Sequence, residues 1–391
     1  MVEWKKIEDL GPYFGGLTGK TKNDFVDGNA KFITYMNVFA NPSLDINTTG
    51  VVKIDEGEKQ NKIQKGDILF TGSSETPDEA GMSCVVTEDL DDDYYMNSFC
   101  FGIRLNNPEH YCLGYLKYIL RSSTIRREIA KTANGVTRFN ISKARLGKVL
   151  IPFPPLQEQV KIAEQLDTFT SSIENLKEQI SQRRKQYEYY RDQLLDFDGK
   201  EGVEMKYISQ VAKSFTGLTY KPENVSDSGV LVLRSSNIDE DTLVFNDNVY
   251  VQMNVPERAI VRENDLLICV RNGSKRLVGK AAMITKEAEG MAFGAFMTIL
   301  RSVDIKSKYL FYAWHSTKVK KQYKGDDAMP IAQITAKDFQ RIYIPVPPLT
   351  EQLRIIDILD KFEASIQNLE SQLSLREKQY EYYRNKLLKF E

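Results

Sequence analysis

Between Leu113 and Lys148 the sequence carries nine basic residues, Lys117, Arg121, Arg126, Arg127, Lys131, Arg138, Lys143, Arg145 and Lys148, against the single acid Glu128. A second stretch, from Ile305 to Arg341, holds eight basic residues, Lys320, Lys321 and Lys324 among them, against three acids. Arg271, Lys275, Arg276 and Lys280 form a third cluster, with Asn272, Gly273 and Ser274 set among them. The formal net charge of the whole chain is only −1, so these cations suit local phosphate contact and not a polycationic coat. Solvated surface is the plainer reading of any single lysine, but clusters at matching places in a duplicated chain favour phosphate.

Groups that could perform catalysis are harder to find. GGLTGKT, from Gly15, resembles a phosphate-binding loop, yet Gly15 and Gly19 enclose three residues where the loop needs four. Its second occurrence, TGLTYKP, loses the Gly-Lys pair. No GxSxG, HExxH or strand-borne GxGxxG is present. Cys84, Cys100, Cys112 and Cys269 show no CxxC spacing and have only His110 and His315 to join them, which argues against zinc and against a disulfide framework. The acidic run from Glu88 to Asp93 reads as solvated loop. Pro152-Phe153-Pro154-Pro155-Leu156 lacks the polar leader and trailing aromatic of the tetrad with which adenine methyltransferases grip their target amine. The expectation is therefore a chain with no catalytic residue, no metal and no cofactor of its own.

What positions the basic clusters is a duplication. The 47 residues from Ile151 recur from Ile344 without a gap and with 28 identities, including KQYEYYR. Between the copies the match is thinner but in order: Lys5, Ile7, Phe14, Gly16, Leu17 and Thr18 correspond to Lys206, Ile208, Phe215, Gly217, Leu218 and Thr219. The chain thus divides into a first variable domain (1–150), a helical spacer (151–198), a second variable domain (199–343, opening with a short linker, 199–204) and a second spacer (344–391). Its 391 residues suffice for two or three cores, and 41% hydrophobic with 27% charged residues is ordinary for a globular protein. No apolar stretch approaches the ~18 residues of a bilayer span. The opening MVEWKKIEDL, charged and amphipathic, predicts a cytoplasmic chain.

Each spacer reads as one long helix with a heptad seam. In the first copy the seam is Leu166, Phe169, Ile173, Leu176, Ile180, Arg183, Tyr187, Tyr190, Leu194 and Phe197; in the second, Leu359, Phe362, Ile366, Leu369, Leu373, Arg376, Tyr380, Tyr383, Leu387 and Phe390. Pro154–Pro155 and Pro347–Pro348 precede the helices, with Glu158 and Glu351 in the first turns, where an acid suits the dipole. About 40 residues make a helix of ~60 Å, which must lie along a partner, and an antiparallel pair of the two copies about a pseudo-two-fold axis is the natural solution. Arg183 and Arg376 interrupt the seam. They either snorkel out of it or are met by carboxylates such as Glu178 and Glu377. The variable segments mix short strands (Lys31–Val38, Asp67–Phe70, Val230–Arg234, Asp265–Val270, Met297–Arg301) with helical stretches (Tyr111–Ser122, Ser307–Tyr323), so the fold class is α+β.

Two variable domains alternating with two repeats, each opening Ile-Pro-x-Pro-Pro-Leu-x-Glu-Gln and closing in Gln-Tyr-Glu-Tyr-Tyr-Arg, resemble the specificity (S) subunit of Type I restriction–modification systems over essentially the whole chain. The resemblance implies a non-catalytic subunit whose variable segments are target recognition domains, each reading one half of a bipartite, asymmetric double-stranded DNA target. It implies helices that set the spacing and dock two methyltransferase (M) subunits, which bind S-adenosylmethionine and methylate adenine. A restriction/translocase (R) subunit can complete such a complex, and no membrane is involved. The other reading of this architecture is a two-domain coiled-coil scaffold that does not bind DNA.

On that resemblance, base readers are sought in loops. After strand Asp67–Phe70 comes Thr71-Gly72-Ser73-Ser74-Glu75-Thr76, and after Asp265–Ile268 the counterpart is Arg271-Asn272-Gly273-Ser274-Lys275-Arg276. Arg271 could pair with guanine, Asn272 with adenine and Glu75 with a cytosine amine. A second set is Tyr35 with Asn37, facing Arg234, Ser235 and Asn237. A third is Thr137, Arg138 and Asn140, facing Gln333 and Thr335. Stabilising turns is the plainer role open to each. Phosphate contacts are expected of Arg121, Arg126, Arg127 and Lys131 in the first domain, and of Lys275, Arg276, Lys320, Lys321 and Lys324 in the second. Exposed helix charges such as Arg184 and Lys378 are candidates for methyltransferase docking.

Overall fold

The computed structural model describes residues 1–324 and 333–390, the side chain of Lys324 lying outside the described residues. Two compact units emerge, one of residues 1–177 with 371–391 and the other of residues 178–370. Each unit therefore holds one variable domain and a part of both long helices.

In the first unit the central sheet runs Tyr13–Gly15, Cys100–Ile103, Ile68–Thr71, Ser83–Val85, all antiparallel. Its middle strand is buried on both faces, and its alternation decides what each face meets. Ile68 and Phe70 join a core with Tyr115, Ile119, Ile162 and Leu166 on the helical side. Leu69 turns the other way, to Ile33, Val38, Tyr94 and Met96. The second unit repeats this order with Ala212–Thr216, Met297–Ser302, Leu266–Cys269 and Ala281–Met283. Leu266 and Ile268 face Tyr309, Trp314 and Leu359, while Leu267 and Cys269 face Val232, Val251 and Phe293. A bidentate ion pair recurs beside each middle strand: Arg104 on Asp67 at 3.0 and 2.9 Å, and Arg301 on Asp265 at 2.8 and 2.7 Å, both carboxylates buried.

The glycine of the phosphate-loop lookalike has a structural reason. A Cβ on Gly16 would sit 2.1 Å from the Asn97 carbonyl oxygen, and one on Gly217 2.1 Å from that of Gly294. Only glycine lets the backbone approach this closely, so that Leu17 N–H can donate to Met96 O (2.8 Å) and Leu218 N–H to Phe293 O (2.7 Å).

The long helices span Leu156–Leu194 and Leu349–Leu387. Their opening motif is explained by its glutamine. Gln159 is buried, donates to Pro154 O (2.8 Å) and accepts from Cys112 N–H (3.1 Å), tying the helix start to the domain before it. Gln352 does the same with Pro347 O (2.9 Å) and Lys306 N–H (3.1 Å). Within each unit the helices run antiparallel. In the first, Phe169 stacks on Tyr383 and Lys177 pairs with Glu377 at 3.4 Å; in the second, Tyr190 stacks on Phe362 and Arg184 pairs with Glu370 at 2.6 Å. Arg376 lies over the Phe169 ring (5.9 Å) and Arg183 over Phe362 (6.0 Å), so each seam arginine meets an aromatic face of the opposite helix.

Several boundaries differ from the sequence expectation. The strand expected over 31–38 ends at Ile33, because Thr34 caps a helix, Tyr35–Ala40, by accepting from Asn37 N–H at 3.2 Å. The helix expected over 111–122 is shorter, Leu113–Ile119, and a second, unexpected helix, Ser123–Ala130, follows it with Ser122 as its cap. The stretch 307–323 divides into Ser307–His315 and Thr317–Lys324. Phe197 and Phe390, placed at the ends of the seams, lie beyond the helices. Phe197 is part of the second unit's core, and Phe390 packs against that of the first.

Candidate nucleic-acid interface

In the first unit, the loop leaving Ile68–Thr71 is held by Gly72 N–H donating to Phe99 O (2.7 Å). Ser73–Ser74 then pairs with Phe139–Ile141, setting Ser73 opposite Asn140 and Ser74 opposite Phe139. Tyr35 Oη donates to Ser73 O at 2.7 Å, and Arg138 Nε to Ser73 Oγ at 3.2 Å. Burial raises the Tyr35 phenol above its ordinary pKa. All three sequence-derived sets thus meet here, through Tyr35, Ser73, Ser74, Arg138 and Asn140. Glu75 and Thr137 are exposed, and Thr76 Oγ1 donates to Glu79 at 2.7 Å.

In the second unit the ladder pairs Cys269 with Met297 as Thr71 pairs with Cys100. That corrects the loop alignment: the structural counterpart of Arg271 is Ser73, not Thr71. Arg271 bridges to Gln333 as Ser73 does to Asn140. Asn272 Nδ2 donates to Ser235 Oγ at 3.0 Å, so positions 35 and 235 both tie to the loop by different chemistry. Asn272 Oδ1 also accepts from Ser274 N–H (2.9 Å). Arg234 is paired with Asp247 (2.7 Å), its Nε buried with no partner among the described residues. It lines an open cavity of about 590 Å³ together with Tyr220, Ser235, Asp247 and Phe296. Ser274, Lys275 and Arg276 are exposed, and Lys275–Leu277 forms one helical turn.

Other assignments change with burial. Arg121 donates to five backbone carbonyls, those of Val38, Phe39, Ala40, Asn41 and Ser83, at 2.7 to 3.3 Å. Arg126 donates to the carbonyls of Asp78, Ala80 and Gly81 at 2.5 to 2.8 Å. Burial pushes both guanidinium pKa values down to about 10, still protonated at neutral pH. Their donors are committed to backbone carbonyls, those of Arg121 at the end of helix Tyr35–Ala40 and the start of strand Ser83–Val85, those of Arg126 in the turn around Asp78–Gly81, which removes both from the phosphate-contact set. Asn37 and Asn237 are buried likewise: Asn37 Nδ2 donates to Asp45 O (2.7 Å) and Thr48 O (2.9 Å), Asn237 Nδ2 to Val244 O (3.1 Å). They hold turns, and base reading is withdrawn from them. Thr335 caps a turn by donating to Asp338 through N–H (2.6 Å) and Oγ1 (2.7 Å).

Arg127 and Lys131 line an open cavity of about 480 Å³ with Pro77, Asp78, Ser123 and Arg126, next in sequence to the loop that ends at Thr76, and Lys131 pairs with Glu128 at 2.7 Å. Lys320 and Lys321 lie on Thr317–Lys324, Lys321 exposed; Lys324's side chain falls outside the described residues. Arg184 is not an available docking charge, because its guanidinium is held between Glu240 and Glu370, each at 2.6 Å. Cys84 and Cys100 are buried, their thiols pushed up to about 12 by desolvation, so neither is poised to react.

Two features escaped sequence reasoning. Phe99 and Phe296, adjoining the two loops, are exposed, and each lies under an arginine. The signal was available: between 97–105 and 294–302 only Phe99/Phe296 and Arg104/Arg301 recur.

Comparisons with known proteins agree with this duplicated plan. Residues 1–183 and 200–375 each match the Type I restriction modification DNA specificity domain. The sequence is 31% identical over 273 residues to the EcoR124I/EcoR124II specificity subunit of Escherichia coli, covering 64% of this chain and 65% of that one, just under two thirds of the relative's length. A putative MjaX specificity subunit of Methanocaldococcus jannaschii is 28% identical over 370 residues, 87% of this chain and 81% of the relative. Among solved structures, a chain from work on complex assembly and conformational transition of the type I R-M system gives a TM-score of 0.67 at 17% identity, covering 99% of this chain and 97% of that one. The S subunit from M. genitalium gives 0.56, also at 17% identity, over 100% and 97%; both likenesses are of fold. With the specificity domain matched once in each half, the chain belongs to the family of Type I restriction–modification specificity subunits.

Proposed function

We propose that this chain is the non-catalytic DNA-recognition subunit of a Type I restriction–modification complex, each variable domain reading one half of an asymmetric bipartite target. The observation that carries the reading is the pair of loops at Ser73 and Arg271. Each is held by the same ladder and by a cross-link from position 35 or 235, yet one buries Ser73 and Ser74 and exposes Glu75 and Thr76, whereas the other exposes Arg271 with Asn272 half-buried beside it. A common scaffold with different hydrogen-bonding chemistry is what reading two different half-sites requires.

The long helices set the half-site spacing and dock methyltransferase subunits. Support for docking comes from apolar side chains left exposed one turn apart at both helix starts, Leu156 with Val160 and Leu349 with Leu353. Methylation, with S-adenosylmethionine, and cleavage belong to partner subunits. The test is a map of methylated positions in genomic DNA from cells expressing the candidate methyltransferase with and without this chain. A split, asymmetric motif methylated only when the chain is present is the expected result. Co-purification of the two proteins with no such motif would favour the scaffold reading.

A further inference from the structure

Phe99 and Phe296 occupy the same structural position. Each precedes the strand residue that pairs with the end of the middle strand, and each carbonyl accepts from the next loop: from Gly72 N–H at 2.7 Å, and from Val270 and Arg271 N–H at 3.0 and 3.2 Å. Phe99 is 54% exposed and Phe296 59%. A single exposed phenylalanine needs no explanation. The recurrence does, because the flanking sequence has diverged and the only other residue kept, Arg104 or Arg301, is accounted for by its ion pair.

Above each ring sits a guanidinium, 5.2 Å away for Arg138 on Phe99 and 5.6 Å for Arg271 on Phe296. The arginines come from different places. Arg138 adjoins the strand that pairs with Ser73, whereas Arg271 occupies the position equivalent to Ser73 itself. Two unrelated routes thus produce one arrangement, an exposed aromatic face with a cation over it beside the reading loop.

We propose that Phe99 and Phe296 are DNA-contacting aromatics, each stacking on a nucleobase of its own half-site while the arginine resting on it transfers to the DNA. The proposal rests on the DNA-recognition reading above. Aromatic side chains stack on bases or wedge between base steps, and the ring loses its exposure on doing so. In the free protein the guanidinium partly covers the apolar face.

The test is selection from a randomised duplex pool by the full chain in complex with the candidate methyltransferase, with F99A, F296A, F296L and F296W beside the wild type. Because both rings are exposed, thermal midpoints should stay within a degree or two of wild type, about what a surface substitution allows. The expected result is a bipartite motif for the wild type, weakened in one half by F99A and in the other by F296A, with affinity falling about tenfold or more. F296W should restore binding and F296L should not. A wild-type motif retained at full affinity by both alanine variants, or by F296L, overturns this proposal and leaves the recognition reading standing. Failure of the wild type to enrich any motif overturns both.

Discussion

Arg121 and Arg271 carry the same guanidinium into opposite settings. Arg121 bridges five backbone carbonyls, four at the end of helix Tyr35–Ala40 and one at the start of strand Ser83–Val85, whereas Arg271 is exposed beside Phe296. Removing Arg121 leaves buried acceptors without donors, so R121A should cost at least about 2 kcal/mol of first-unit stability. R271A should change stability by no more than about 0.5 kcal/mol while weakening one half-site by about 1–3 kcal/mol. Denaturant unfolding and half-site binding, measured on both variants, check the contrast; a stable R121A with impaired binding would return that arginine to the phosphate set. Charge clustering in the sequence could not separate the two, because the pattern of basic residues is the same whether a guanidinium faces phosphate or peptide carbonyl. Asn37 and Asn237 were misleading for the same reason: an amide suited to adenine is equally suited to a turn. Loop positions such as Ser73 and Arg271 were legible because they follow a recognisable strand, although their mutual alignment needed the ladder.

At the scale of elements, the two 39-residue helices were the most legible part of the chain, since a seam of threes and fours holds over nine positions within each. Short elements were less so. Thr34 ends a strand and starts a helix within a run of apolar residues, a switch made by one capping hydroxyl. The opening motif of the helices was recognisable as a pattern, but its physical basis, a buried glutamine clamping two backbone groups, appears only in three dimensions. Seven residues inserted after Lys177 in one helix and after Glu370 in the other preserve the seam and add about 10 Å to each, up to about three base pairs of duplex. The methylated motif should keep both half-sites and gain a longer gap. An unchanged gap would remove the helices as the spacer, and altered half-sites would mean the insertion had disturbed the recognition domains.

On the scale of the whole molecule, the duplication made the domain order legible, but not the division into units that cut through both helices. Helix periodicity is uniform along the seam and carries no mark of which domain a given turn serves. The first unit's core includes Leu388, with Tyr380, Leu387 and Phe390 packed against it, so it depends on residues far along the chain. A variant ending at Glu370 should lose amide protection in residues 1–177 while residues 178–370 stay protected, as read by hydrogen exchange. Equal loss in both would show the two folding as one. The interruption also has a consequence in time. At ~5–20 residues per second, residues 178–370 take about 10 to 40 seconds to emerge from the ribosome. The second unit then has all its parts, while the first, although begun earlier, still lacks 371–391. Throughout that interval the nascent first domain carries an apolar surface whose covering has yet to be translated, and the half of the protein made first is the last to close.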